Sequence, residues 1–184
     1  SFPTRRSSDL APGPPPRWRW RSTPHGWSGT AADAAQQGGA ASGDEALAAV
    51  LRDLDGALGD ANATVTSEPL PTVRLDASQL RSVLQNLIGN ALKYRDPARA
   101  PRVHVFARRD GGMWRFAVSD NGIGIEARYF DRIFVVFERL HTQRVHPGTG
   151  IGLAICRKIV ERHGGTMAVS SVPVYVKLSP NVTD

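Results

Sequence analysis

Four short motifs rich in glycine and asparagine follow one another along the chain, and their order constrains the fold more than any other feature. They are NLIGNALKY at residues 86–94, DNGIGI at 120–125, IFVVFERL at 133–140 and GTGIGLA at 148–154. Each motif alone is a weak signal. The ordered set is hard to obtain by chance, so we interpret the four segments as parts of one site.

The first motif lies on a predicted helix. Apolar residues recur at helical spacing through residues 80–92, and Asp76 is a good N-cap. Asn86 and Asn90 are four residues apart and share a face, with Lys93 near the same stripe. Amide oxygens suit a hard cation such as Mg²⁺ and an ammonium group suits phosphate, so the stripe fits a magnesium-bound triphosphate. The alternative is the polar outer face of an ordinary amphipathic helix.

The two glycine motifs suggest contacts with a ring and with an anion. Asp120 ends a predicted strand, where its carboxylate can accept a hydrogen bond from an amino group. Gly122 and Gly124 would let the backbone approach a flat ring. The glycines of residues 148–154 precede and open a helix, whose free N–H groups favour an anion. Their spacing is neither a Walker A loop nor the dinucleotide fingerprint. A turn containing Asp and a flexible hinge are the alternatives.

Periodicity predicts the remaining elements. They are a helix from Asp44 to a stop at Gly59, strands at 63–67, 72–75, 102–109, 113–119 and 166–170, a helix at 150–162 and a possible edge strand at 174–178. This order predicts a mixed sheet with helices on one face, an α/β two-layer sandwich.

Composition is that of one globular domain. Of the residues, 41% are hydrophobic and 22% charged, no apolar run reaches the roughly 18 residues that span a bilayer, and no signal peptide is visible. Cys156 is the only cysteine, which excludes an intramolecular disulfide and suits the cytoplasm. We expect residues 1–43 to be a disordered or artefactual flank, 44–178 to form the domain and 179–184 to be a tail. Residues 1–10 resemble a translated sequencing adaptor.

The net charge of +6 does not point to nucleic acid as a partner. Residues 1–43 hold five arginines and two aspartates, and so carry half of the excess in a segment that does not look folded. Within it, residues 17–21 alternate arginine with tryptophan, as a nucleic-acid-binding or membrane-surface peptide would. An unstructured flank is the simpler interpretation.

The four motifs resemble the N, G1, F and G2 boxes of the catalytic ATP-binding domain of bacterial sensor histidine kinases, and residues 137–142 are most similar to the phytochrome-type branch. The resemblance implies the Bergerat ATP-binding fold over about residues 44–170, with ATP and Mg²⁺ as cofactors. It implies Asn90 as the Mg²⁺ ligand, Lys93 at the phosphates and Asp120 at the adenine amino group. A lid would span residues 138–149.

The resemblance also implies a set of nucleotide-binding residues. They are Asn86, Asn90, Lys93, Tyr94, Asp120, Gly122, Ile123, Gly124, Arg139, Gly148, Thr149, Gly150, Ile151, Gly152 and Leu153, of which Asn86, Asn90 and Lys93 are the catalytic candidates. Within the lid, Arg144 is an alternative to Arg139 for reaching the γ-phosphate. Phe134 and Phe137 are expected to pack at the base of the lid.

Partners follow from the same resemblance. None of the five histidines resembles the phosphoacceptor, which in this family precedes Glu or Asp on a helical hairpin. We therefore expect a separate histidine phosphotransfer and dimerisation domain, a homodimeric parent protein and a response-regulator receiver domain downstream. Asn86 stands where ATP-hydrolysing relatives usually carry a general-base Glu, so hydrolysis by the site alone should be slow. An ATPase of the same fold and a nucleotide-binding module without chemistry are the alternatives.

The C-terminal end departs from the family pattern. The family places a Pro- and Gly-rich turn and then a Gly-Ser/Thr-x-Phe strand after residues 169–171, whereas residues 172–178 of this chain follow directly. The departure concerns the stability of the sheet more than the identity of the site.

Overall fold

The computed structural model describes residues 39–135, 150–169 and 174–178 of the 184-residue chain. In chain order the elements are β1 (Ala40–Ser42), α1 (Gly43–Asp53), α2 (Asp55–Asp60), β2 (Thr64–Ser67), β3 (Thr72–Arg74), α3 (Ala77–Lys93), β4 (Arg102–Asp110), β5 (Met113–Asp120), two 3₁₀ turns (Ala127–Tyr129 and Arg132–Phe134), α4 (Gly152–Arg162), β6 (Thr166–Val169) and β7 (Val174–Leu178). No helix in these segments is long and apolar enough to cross a membrane.

Five strands form one mixed sheet in the order β2-β4-β5-β7-β6. β2 runs parallel to β4, and the other neighbouring pairs are antiparallel. The central β4–β5 ladder runs without interruption from Asp110 opposite Met113 to Val103 opposite Asp120. β1 and β3 form a separate antiparallel pair. The continuous ladder holds the end of β5, and therefore Asp120, at a fixed place on the sheet.

The core lies between one face of this sheet and helices α1, α3 and α4. On β4, Val103 and Val105 are buried, whereas His104 between them is only partly buried. The apolar stripes of the three helices complete the same cluster, and its largest fully buried side chains are Leu75, Leu80, Leu84, Ile88, Val50, Val73, Val83, Val103, Val105, Val160 and Cys156. The prediction of an α/β two-layer sandwich with helices on one face is confirmed.

Ordered structure begins before Asp44, where the sequence placed its start. β1 pairs with β3 and leads directly into α1, with Ala41 opposite Val73. Ser42 is the N-cap of α1, since its Oγ accepts a hydrogen bond from the Glu45 N–H at 3.3 Å. Asp44 has a different role, because its Oδ1 accepts the Leu70 N–H at 3.0 Å and so fastens the loop before β3.

Two further element predictions are corrected. The helix predicted from Asp44 to Gly59 is divided at Leu54 into α1 and α2, at a run of Asp and Gly residues that propagate a helix poorly. β7 is not an edge strand. It lies between β5 and β6 and is hydrogen-bonded to both, so that β6 forms the edge instead.

Candidate nucleotide-binding site

The polar stripe of α3 faces away from the core, as the sequence predicted. Asp76 caps the helix by accepting hydrogen bonds from the N–H groups of Ser78 and Gln79 at 2.9 and 3.1 Å. The opposite side of α3 is buried through a stripe that includes Leu84 and Ile88. Because that stripe fixes the rotation of the helix, the three polar candidates Asn86, Asn90 and Lys93 share a half-buried face.

Asn90 and Lys93 leave their polar groups available for a ligand. The Asn90 carboxamide makes no hydrogen bond to any residue of the described segments. The Lys93 ammonium lies over the ring of Tyr94, 4.8 Å from its centroid. A half-buried amide oxygen that no N–H of the described segments contacts is a suitable ligand for a hard cation, and an ammonium group is a suitable partner for an anion.

Asn86 lies instead at the junction of two helices. Its Nδ2 donates a hydrogen bond to the Ser82 carbonyl, one turn earlier on α3, at 2.8 Å. Its Oδ1 lies directly against Gly152, the first residue of α4. The first and fourth motifs therefore meet at this side chain.

The second motif is fastened to the end of α3. The Ile123 N–H donates to the Tyr94 carbonyl at 3.1 Å, and the Gly122 N–H donates to Asp120 Oδ1 at 2.8 Å. A Cβ on Gly122 would lie 2.5 Å from the Tyr94 carbonyl oxygen, so only glycine fits there. Gly124 has a φ of +73°, a conformation that glycine adopts readily. One oxygen of Asp120 thus orders the loop, and the other accepts no hydrogen bond from a side chain or loop N–H of the described segments.

Asn121 is a structural residue that the sequence analysis did not identify. Its Oδ1 accepts the Arg102 N–H at 2.7 Å, and its Nδ2 donates to the Ala100 carbonyl at 3.0 Å. The side chain thereby extends the β4–β5 pairing one step beyond Asp120. An Asn directly after a strand is a known signal for such local bonding, although the sequence does not reveal its partners.

The fourth motif places the N-terminus of α4 beside α3. α4 begins at Gly152, two residues later than predicted, and Ile151 at its N-cap position provides no side-chain hydrogen bond to the first turn. Gly150 has a φ of +72°, which redirects the chain immediately before the helix. Within the described segments, the first N–H groups of α4 therefore have no side-chain cap, and such groups can bind an anion.

Part of the predicted site lies outside the described residues. This applies to Gly148 and Thr149, to Arg139 and Arg144, and to the remaining residues of the predicted lid. Phe137 also lies outside. Phe134 is described and is buried, with the Arg157 guanidinium 5.4 Å from its ring centroid. The expectation that Phe134 is a packing residue is therefore confirmed, and it joins the third motif to α4.

The other reactive groups in the described segments have structural roles. Burial raises the pKa of the Cys156 thiol on α4 to about 12, so this cysteine stays protonated and does not act as a nucleophile. His163 is hydrogen-bonded to Gln79 Oε1 at 2.9 Å, and burial lowers its pKa. His104 is bonded to Thr66 Oγ1 at 2.9 Å on the face of the sheet opposite the helices.

Comparison with known proteins assigns the chain to a family. The family model described as Histidine kinase-, DNA gyrase B-, and HSP90-like ATPase matches residues 75–181, which is more than half of the chain. The chain belongs to this family. The match begins one residue before the N-cap of α3 and includes all four motifs. Since the family is one of ATPases, the nucleotide that the site is built for is ATP.

The similar proteins within this family include sensor histidine kinases and phytochromes. The chain is 47% identical over 128 residues to Cyanobacterial phytochrome A of Nostoc sp. (strain PCC 7120), covering 70% of this chain and 17% of that protein. The mycobacterial sensor histidine kinase MprB is 25% identical with a TM-score of 0.62, covering 77% of this chain and 97% of the other. ShkA in complex with AMPPNP is 26% identical with a TM-score of 0.66, covering 80% of this chain and 32% of the other. The resemblance to the phytochrome-type branch is confirmed.

Proposed function

We propose that this chain is the ATP-binding catalytic domain of a sensor histidine kinase, which transfers the γ-phosphate of Mg-ATP to a histidine on a dimerisation hairpin. The observation that supports this most strongly is the meeting of three motifs around α3. Asn86 contacts the first residue of α4, and the carbonyl of Tyr94 holds the loop after Asp120. The chain spans about 17% of its phytochrome relative, and we propose the kinase activity for a parent protein of which this domain is a part.

The two ends of the nucleotide would be recognised by different chemistry. The second carboxylate oxygen of Asp120 would accept a hydrogen bond from the adenine amino group, and Tyr94, Ile123 and the backbone of Gly124 would surround the ring. At the other end, Lys93 and the uncapped N-terminus of α4 would hold the phosphates. Arg139, Gly148 and Thr149 would contribute from the lid segment.

The donor groups present fit a magnesium ion. The Asn90 carboxamide is half-buried, is without a hydrogen-bond donor in the described segments and offers the kind of oxygen that Mg²⁺ prefers. We propose Asn90 Oδ1 as the protein ligand, with phosphate oxygens supplying other positions. The bound ion would neutralise charge on the phosphates.

Phosphate transfer to histidine is favoured over hydrolysis. Asn86 has no useful basicity, and its carboxamide lies against α4, so it is not placed to activate water. A neutral imidazole needs less help, because it is already a nucleophile near neutral pH. We accordingly propose a histidine phosphotransfer domain and a receiver domain as partners, a homodimeric parent and a cytoplasmic location, with no role for nucleic acid.

A transfer assay tests this function. The 184-residue chain is incubated with γ-labelled ATP, Mg²⁺ and a separately produced sensor-kinase hairpin that carries an acceptor histidine. We expect label on the hairpin that is lost in acid and stable in alkali, as phosphohistidine is. A hairpin with the acceptor changed to glutamine is the control and should remain unlabelled.

The same assay separates the alternatives. Release of labelled phosphate without the hairpin would identify an ATPase. Nucleotide binding with neither release nor transfer, across several hairpins, would identify a binding module. The Asn90→Ala variant should lose transfer while keeping its fold, and full transfer by a folded Asn90→Ala protein would contradict the metal assignment.

A further inference from the structure

A side chain on α3 leaves no room for any residue other than glycine at position 152, the start of α4. The φ of Gly152 is not in the left-handed region, so its backbone conformation suits any residue. A Cβ there would overlap Asn86 Oδ1 and lie 3.4 Å from Asn86 Cγ, whereas Cβ atoms essentially never approach a neighbour within 3.0 Å. Gly89 in the middle of α3 is different, because a Cβ added to it meets nothing within 4 Å. The requirement at residue 152 is therefore one of space.

The neighbour that occupies this space is held in place. The Asn86 Nδ2 is bonded to the Ser82 carbonyl on its own helix, which directs the carboxamide oxygen towards α4. The side chain is half-buried and lies between two packed helices. A short carboxamide fixed in this way acts as a spacer of definite length.

We infer that Asn86 is a positioning residue, which sets the distance between the first residue of α4 and the polar stripe of α3. The inference rests on the proposed function. Asn90 lies one turn further along α3, about 6 Å from Asn86 along the axis. The spacer thus fixes how far the N–H groups of α4 lie from Asn90 and Lys93, the side chains assigned to the same triphosphate.

The spacer matters because phosphate contacts depend on geometry. A displacement of about 1 Å in a reactive constellation can cost about a hundredfold in rate. A methyl group at residue 152 must displace either the Asn86 carboxamide, which its bond to the Ser82 carbonyl resists, or the N-terminus of α4, and we expect the helix end to move. The adenine contacts at Asp120 lie on a different element and would not move with it.

The test is a double-mutant cycle of Gly152→Ala and Asn86→Ala, with Gly112→Ala in the exposed β4–β5 turn as the glycine control, because a Cβ there also meets nothing within 4 Å. We expect Gly152→Ala to lower the affinity for AMPPNP by about tenfold in the wild-type background, which is the loss expected when one hydrogen bond to a phosphate is broken. In the Asn86→Ala background the same change should cost less than about threefold, because the obstacle has been removed. Gly112→Ala should leave the affinity unchanged.

The affinity for adenosine distinguishes a displaced phosphate end from general structural damage, which would weaken the binding of adenosine and AMPPNP alike. Gly152→Ala should bind adenosine, measured by competition, as the wild type does, because only the phosphate end is displaced. Equal losses for adenosine and AMPPNP would overturn the inference, as would equal costs of Gly152→Ala in both backgrounds.

Folding of the variants is followed by circular dichroism. If Gly152→Ala does not fold, restored folding in the double variant supports the spacer, and failure to restore it overturns the spacer. If the folded wild-type chain binds no AMPPNP, the proposed function has failed. The same four proteins are then compared by their free energies of unfolding, and a smaller cost of Gly152→Ala in the Asn86→Ala background would still show that the two residues are in contact.

Discussion

Replacing Gly122 by alanine tests the attachment of the adenine loop to α3. The added Cβ would lie 2.5 Å from the Tyr94 carbonyl oxygen and 2.8 Å from Asp120 Oδ1. Neither neighbour can move freely, because the Tyr94 carbonyl accepts the Ile123 N–H at 3.1 Å and Asp120 Oδ1 accepts the Gly122 N–H at 2.8 Å. The loop must therefore move away from the helix.

The expected cost follows from these contacts. Overpacking costs about 1–3 kcal/mol, and each of the two weakened hydrogen bonds adds about 1 kcal/mol, so the free energy of unfolding should fall by about 3–5 kcal/mol. Displacement of Asp120 removes one hydrogen bond to adenine, which corresponds to about a tenfold loss in affinity for AMPPNP.

Urea unfolding followed by circular dichroism measures the first quantity, and calorimetric titration with AMPPNP measures the second. Gly112→Ala is the control, since that glycine lies in the exposed β4–β5 turn and a Cβ there meets nothing within 4 Å. If the Gly122 and Gly112 variants are equally stable and bind AMPPNP equally, the loop after Asp120 is not packed tightly against the end of α3.

Three further predictions concern the core, a histidine and base selectivity. Ile88→Ala removes a fully buried side chain and should lower the free energy of unfolding by about 2–5 kcal/mol in urea; a loss below about 1 kcal/mol would contradict the described core. Burial lowers the pKa of His163, so the unfolded chain binds a proton more readily than the folded one, and stability should be full above the unfolded value of 6.5 and decline as the pH falls below it. His163→Gln should flatten this decline in urea titrations at several pH values, and an unchanged slope would exclude His163 as its source. Asp120→Asn should reduce the preference for ATP over GTP in competition binding, and unchanged discrimination would remove Asp120 from the adenine site.

Local patterns were sufficient to predict the central elements. The helical repeat after Asp76 predicts α3, alternation over residues 102–109 predicts β4, and the Gly111-Gly112 turn predicts β5 as the return strand. Both signals arise within a few residues of the element concerned, because side-chain periodicity and capping are local properties.

Contacts between distant segments could not be predicted in this way. β1 is three residues long and depends on pairing with β3, and β7 has the alternation of a strand but no local signal for its two neighbours. The candidate site also has a part that local sequence predicts and a part that it does not. The motifs identify the residues, whereas the contact of Asn86 with Gly152 and the two hydrogen bonds of Asn121 depend on tertiary distances.

Calorimetric titration of the 184-residue chain with AMPPNP, with and without Mg²⁺, tests the central claim most directly. We expect saturable binding of one nucleotide per chain, with lower affinity when Mg²⁺ is removed, and an Asn90→Ala variant whose affinity no longer responds to Mg²⁺. A chain that is folded by circular dichroism but binds no AMPPNP at any Mg²⁺ concentration would contradict it.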